Sequence, residues 1–573
     1  MRRTRRLVGL GTVAIIAACA SSTNACSDHD AGALSLCICG DHSAAATIAG
    51  ATSTGAISTG AGVLSGTPRG GGGPEATQNV HVFNFDFSTN PSGMPIMDAT
   101  INVGDTVHWQ WDSGFHSVTS VAGSAEVYNS GDLSSPGPTF NHTFTLAGVF
   151  TYYCDIHGFD NGNGTAGGMF GTITVIQQAI NSTWNVDFDG SWQTAGNWTN
   201  SAIPNGAGHV ANFSGGAITG PRGVNVDAPT TVGAINFDSP SPKSFLIAGG
   251  ATLSLSGASA GPASVSVVNG NHTITARLQA VSNATFNIAA ASTLTATNLQ
   301  TTTAALTKSG GGALTVTNIR AGALSVNGGT VTVQSNGSDT GASRVGTLTI
   351  AGGAASTATL DLNNNDLIVT SGSASLIQSQ ISNARHAGAW DQPGISSSSA
   401  GAAMPRNTTL GLLSGAEYRG LLGPGAQFDG FAVADNDVLV KYTWYGDTDF
   451  NGVVNFDDYS RTDSGFNNNR TGWLNGDFDA NGVVNFDDYS LIDLAFNTQS
   501  GSLRRAIAFM EGSDRSNRDM QSLSLQLVQE HFARFGEAYA TSFLNAVPEP
   551  ASTMMLVGLA ALAVGKRRRR QIS

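Results

Sequence analysis

Phe150-Thr-Tyr-Tyr-Cys154-Asp-Ile-His157-Gly158, followed by Gly167-Gly-Met169-Phe-Gly-Thr-Ile-Thr-Val175, is the stretch on which the reading of this chain turns. Phe150, Tyr152 and Cys154 alternate with residues of the opposite face, and upstream Val107, Trp109 and Trp111 alternate in the same way. Period-two patterning over several short runs predicts a β-sandwich with one buried face per sheet. Cys154 then ends a strand on the same face as two aromatics. Cys154 and His157 lie three apart, so a thiolate and an imidazole reach one point from a single loop. His116, just beyond the end of the Trp109–Trp111 strand, supplies a third donor. Two imidazoles and a thiolate in a plane, with a weak axial thioether from Met169, form a soft set that favours copper and serves both Cu(I) and Cu(II).

Alone, a strand-end cysteine is more often a small buried hydrophobe. Its isolation argues otherwise: Cys19, Cys26, Cys37 and Cys39 all precede residue 40, and Cys154 has no partner for a disulfide within its own segment. His81, His108 and His142 share the segment and are read as surface or core residues. A binuclear copper site needs a second nearby cysteine, and a trinuclear cluster needs His-x-His pairs; the chain has neither. Oxidase chemistry is therefore not expected, and the chain is read as no enzyme. Residues 79–177, with Gly104-Asp-Thr-Val107 and the Phe144–Cys154 strand, resemble the plastocyanin/azurin family of Greek-key cupredoxins. The resemblance implies one type 1 copper on His116, Cys154, His157 and Met169, and single-electron transfer to a redox protein such as a c-type cytochrome. One departure stands out. Eleven residues, Gly158 to Gly168, separate His157 from Met169, where plastocyanins have only a few.

Around this segment the chain is mostly β in character. Of 573 residues 72 are Gly and 12% are charged, a composition of short strands and turns. The formal net charge of −13 argues against a nucleic-acid partner, which would need a basic face. From 181 to 440, short alternating runs such as Ala313-Leu-Thr-Val316 and Thr330-Val-Thr-Val333 are separated by Gly-Gly or Asn-Gly turns. No proline falls between Pro262 and Pro393. Uninterrupted ladders of this kind predict a stacked β-solenoid, and Leu306–Val316 resembles autotransporter-associated repeats. No catalytic constellation is evident there.

Two acidic loops occupy 441–500. Asp447, Asp449, Asn451, Val453 (through its carbonyl), Asn455 and Asp458 fall at positions 1, 3, 5, 7, 9 and 12 of a calcium loop, with Gly452 at the sharp bend. Asp477, Asp479, Asn481, Val483, Asn485 and Asp488 repeat the pattern around Gly482. Two calcium ions are expected. The pair resembles a type I dockerin, which implies a small helical module and a cohesin-like partner; capping of the solenoid is the alternative.

The ends carry targeting signals. Arg2, Arg3, Arg5 and Arg6 precede a short apolar run, Leu7–Ala18, as in a signal peptide of residues 1–20. Ordinary cleavage near Ala20 is expected, with lipidation of Cys19 as the alternative. Residues 21–78 form a low-complexity leader, whose His29 and His42 beside three cysteines suggest a soft-metal tract at most. Residues 501–545 form a helical linker with an amphipathic stretch on Leu527, Phe532, Phe535, Tyr539 and Phe543. Val547-Pro-Glu-Pro550, an apolar run and Lys566–Arg570 close the chain and resemble a PEP-CTERM sorting signal spanning 546–573. That resemblance implies transient membrane insertion of the tail, processing by an exosortase, and a periplasmic, cell-surface or extracellular-matrix location.

Overall fold

The computed structural model describes residues 76–547, apart from 136, 259 and 260. The expected signal peptide, nearly all of the expected leader and the tail beyond Val547 lie outside the described residues. No helix among those described is long and apolar enough to cross a membrane.

Residues 77–176 form two four-stranded sheets. One contains Asp86–Ser88, Thr77–Phe83, Thr106–Trp111 and Thr139–Thr143; the other contains Ala99–Asn102, Ala166–Ile176, Gly148–Asp160 and Thr119–Ser120. Thr77–Phe83 runs parallel to Thr106–Trp111, and Ala99–Asn102 parallel to Ala166–Ile176; the other pairings are antiparallel. The alternating residues turn inward. Val107, Trp109, Trp111, Phe150, Tyr152 and Cys154 share one core, and the Trp109 and Tyr152 rings meet edge-on at 5.5 Å between the sheets. Each aromatic removes a large apolar area from water, which makes this face the main source of the sandwich's stability.

Beyond it the chain winds through two long parallel sheets, entering them in turn. Nine parallel strands from Asn181–Thr183 to Leu367–Val369 build one, and nine from Gly190–Ser191 to Gly394–Ser396 build the other. A third sheet of three strands, Thr230–Val232, Thr252–Leu255 and Arg277–Ala280, flanks the early turns. Alternate residues such as Val265, Phe286 and Leu294 fill a continuous interior. The repeat is ragged because coil length varies: Ala284 pairs with Leu306, Ala305 with Ala323, and Ala323 with Thr347. A lysine is also taken inside. Lys308 is fully buried, and its Nζ donates to the carbonyls of Ser309, Gly310 and Gly328 at 2.8–3.0 Å.

The parallel ladder does not run to 440. Antiparallel strands Val438–Trp444 and Thr408–Ser414 finish the first sheet, and helices Ala374–Arg385 and Gly415–Leu422 pack over the end. Helices Phe456–Asn467 and Phe486–Gln499 follow, each directly after an acidic loop. Their residues Tyr459 and Ile492, with Trp473 of the 3-10 turn Trp473–Asn475 between them, share a core with Leu413, Tyr418 and Leu439 of the coil end. The amphipathic stretch is two helices, Leu523–Phe535 and Glu537–Asn545, broken at Gly536, whose φ of 71° lies in the left-handed region. Their inward residues pack on Phe486–Gln499.

Candidate metal centre

Register explains how the sandwich gathers its donors. In the Gly148–Asp160 and Ala166–Ile176 pair, Tyr153 faces Phe170 and Gly158 faces Gly168. Cys154, Asp155, Ile156 and His157 therefore bulge out opposite the single residue Met169. The eleven-residue separation of His157 from Met169 is not a slack loop. It is an extension of the same hairpin, paired through Phe159–Gly167 and Asp160–Ala166 and closed by the Asn161 N–H on the Thr165 carbonyl at 3.0 Å. The extension leaves and returns to the same point, so Met169 lies in one core with Cys154. Gly168 makes the turn with φ 75°, and a Cβ there would stand 2.5 Å from the His157 carbonyl oxygen.

His116 arrives on the short strand Phe115–His116, paired with Leu133–Ser134. The Trp111 indole N–H donates to its carbonyl at 3.1 Å. The three strong donors converge. His116 Nδ1 lies 3.0 Å from His157 Nδ1 and 3.8 Å from Cys154 Sγ, and His157 Nδ1 lies 3.5 Å from that sulfur. A first-row cation bonded at about 2.0 Å to nitrogen and about 2.3 Å to sulfur fits between donors so spaced. Cys154, His116 and Met169 are buried, and His157 is partly exposed. Burial, reinforced by the neighbouring His157, holds the His116 imidazole below its ordinary pKa, keeping it neutral and able to ligate. The two ligand loops are tied by Ser117. Its backbone N–H reaches Cys154 Sγ at 3.4 Å, and its hydroxyl accepts from the Asp155 N–H at 2.9 Å while donating to the Asp155 carboxylate. Ser117 was not legible as a site residue; only its position beside a ligand pointed to it. The remaining histidines sit elsewhere: His81 on Asp112, His108 on Asn141, His142 on Glu126.

Both acidic loops also draw their carboxylates together. Asp447, Asp449 and Asp458 form one cluster and Asp477, Asp479 and Asp488 the other, with oxygens of each set within 4.8 Å. Gly452 and Gly482 make the bends at φ 83° and 87°. Asp458 and Asp488 are at the third position of their helices and accept from the N–H of Asn455 and Asn485 at 2.9 Å. The side chains of Asn455 and Asn485 cap the helices by accepting from Asp457 and Asp487, so those oxygens are already engaged. Asn451 and Asn481 accept from the N–H of Val453 and Val483. Burial and neighbouring carboxylates push Asp447 up to about 6 and Asp488 up to about 8. The fully buried Asp447 has an Oδ1 with no partner, and such a group fits a cation. The loops differ in one residue the pattern did not mark. Arg461 approaches Asp449 at 3.2 Å and Asp458 at 3.5 Å, whereas the matching residue of the second loop is Leu491.

Residues 546–570 match the PEP-CTERM protein-sorting motif. Over 94 residues the chain is 33% identical to a halocyanin of Natronomonas pharaonis; the match takes in 16% of this chain and 50% of the halocyanin, so the chain spans half that relative's length. Among solved structures, a purple cupredoxin from Nitrosopumilus maritimus is 29% identical, with 18% of this chain and 99% of that one covered and a TM-score of 0.13. An oxidised amicyanin variant is 24% identical, with 17% and 79% covered and a TM-score of 0.12. Within the chain, then, sit a segment similar to a halocyanin and a C-terminal sorting motif.

Proposed function

We propose that the chain is an exported copper protein whose cupredoxin-like segment transfers single electrons at or near the cell surface. The observation that carries this reading is the convergence of the His116, Cys154 and His157 donors, with Met169 in the same core as Cys154. Copper, when bound, supplies the one-electron couple. The chain's own contribution is rigidity: two hydrogen-bonded loops and a paired hairpin keep the donors in place, so little reorganisation accompanies a change of oxidation state. His157 is the exit. Its ring packs edge-on against Phe85 at 4.9 Å. Phe85, and the ligand neighbours Phe115, Ile156 and Phe170, are exposed, an apolar rim suited to brief docking of a redox protein such as a c-type cytochrome. No catalytic step is assigned to the chain.

The remaining modules support display. The parallel coils read as a β-solenoid stalk, the two loops as calcium sites of a dockerin-like module with a cohesin-like or extracellular-matrix partner, and the sorting motif as an exosortase substrate on the way to the surface. A second reading rests on proportion, since the coils and their helical end make up most of the chain: a structural or adhesive protein whose cupredoxin-like segment only stores copper. Two measurements separate the readings. The purified copper form is expected to show intense thiolate-to-copper absorption that disappears in Cys154→Ala, and to exchange electrons rapidly and reversibly with a c-type cytochrome. Colour without exchange supports storage; absence of colour in the unaltered protein loaded with Cu(II) sinks the electron-transfer reading.

A further inference from the structure

On the flank of the parallel coils lies a cleft of about 830 Å³ whose lining includes Gln279, Thr301, Thr303, Arg320, Arg344 and Phe431. It crosses successive coils. Gln279 Nε2 donates to the Thr301 carbonyl, the Thr302 N–H to the Arg320 carbonyl, and Arg320 pairs in register with Arg344. Neighbouring strands are about 4.8 Å apart, so the cleft offers similar polar groups at a regular step. Its floor is low because Gly322 and Gly346 lie against the coil beneath; a Cβ on either would come within 2.0–2.1 Å of a carbonyl oxygen.

The charge in this cleft is uncommitted. Among the described residues neither guanidinium has a carboxylate within salt-bridge distance. Arg320 donates to the carbonyls of Asp339, Thr340 and Ala342, contacts that pair it with no carboxylate charge, and the Arg344 guanidinium has no hydrogen-bond partner among those residues. Both are held over the Phe431 ring, at 5.1 and 5.8 Å from its centroid. That contact fixes two flexible cations one coil apart and removes part of the entropy cost of binding. In a chain of net charge −13, a fixed cationic pair beside threonine hydroxyls and an amide needs an occupant.

We propose that this cleft binds an acidic polysaccharide, with sugar carboxylates on Arg320 and Arg344 and hydroxyls on Gln279 and the threonines. A guanidinium fork matches a carboxylate, the short polar side chains match hydroxyls, and the coil step is close to the length of one pyranose. Single-stranded nucleic acid fits less well. It relies on aromatic faces for base stacking, and Phe431 is covered by the two arginines.

Titration calorimetry of the full chain with a short oligogalacturonate tests this, alongside its carboxyl-reduced counterpart and a single-stranded oligodeoxynucleotide of equal charge. The expected result is binding of the acidic saccharide alone, weakened about tenfold or more in Arg344→Gln, the scale of one charge-assisted hydrogen bond, with unchanged melting. Arg344 carries the test because its side chain supports no backbone; Arg320→Gln gives a second loss if that variant folds. No binding, equal affinity for the reduced saccharide, equal affinity for the oligonucleotide, or unaltered binding by Arg344→Gln each overturns the proposal.

Discussion

Gly114 shows how closely single residues govern the metal pocket. The Nε2 of His116 is buried without a hydrogen-bond partner, so packing rather than a second hydrogen bond orients the ring. Gly114, at φ 84°, is that packing surface; a Cβ there would stand 2.3 Å from Nε2. Gly114→Ala therefore has to strain its backbone and displace a ligand. Ser117→Ala leaves the backbone N–H on Cys154 Sγ but removes both hydroxyl contacts with Asp155. Residues that orient ligands typically alter metal affinity by about 10–100-fold. Both variants are expected to lose copper to a competing chelator more readily, by about that factor, with Ser117→Ala keeping the thiolate absorption band and Gly114→Ala shifting it. Affinity and spectrum unchanged in Gly114→Ala would show that His116 is not held by this contact.

At the scale of elements, the sequence made some features plain and concealed others for definable reasons. The Val107–Trp111 and Phe150–Cys154 runs are legible because alternation reports a face directly. The placement of Met169 is not, since an eleven-residue gap looks the same whether it is loose or a paired hairpin; only the Tyr153–Phe170 and Gly158–Gly168 register decides it. The end of the parallel ladder near Ser396 is equally hidden, because Leu410, Leu412 and Val440 are as apolar as the strands they cap. Least visible is the polar centre of the C-terminal helices. The buried carboxylate of Asp493 accepts from Tyr459, from Tyr539 and from His531 Nδ1, the last at 2.6 Å. Burial opposes charge on His531, but Asp493 outweighs it and raises the imidazole above its ordinary 6.5. A base whose pKa is raised by folding stabilises the fold fully below its unfolded value, and that contribution is lost as pH rises through the folded one. Melting of this helical region is thus expected to fall as pH is raised from about 6 upward past the folded value. His531→Gln is expected to melt lower at acidic pH and to lose the imidazole's share of that slope, while the raised carboxyls of Asp447 and Asp488 keep theirs. A slope identical to that of the unaltered protein would place the proton elsewhere.

Across the whole molecule, the distribution of cores sets which parts respond together. The copper pocket belongs to a core formed wholly by residues between Val80 and Val175. The acidic loops' two helices and the turn between them instead share one with the coil end, through Ile368, Leu413 and Leu439 against Tyr459, Trp473 and Ile492. Calcium at 447–458 and 477–488 is therefore expected to stabilise the loops and the coil end as one unit. Without a cation each loop holds three buried or half-buried carboxylates together, which mutual repulsion and burial both oppose. Binding only to the folded form adds about 2.7 kcal/mol when the ion is at one hundred times its dissociation constant. Calorimetric scans of the full chain in chelator and in millimolar calcium are expected to differ by an upward shift of the transition containing this unit. Asp447→Asn combined with Asp477→Asn should abolish the shift, since each removes a carboxylate charge while keeping its shape. In each medium the copper absorption of the double variant should match that of the unaltered protein. Equal transitions in chelator and calcium would reduce the loops to helix-capping turns. A copper band that fades with the double variant would mean that the two cores are coupled.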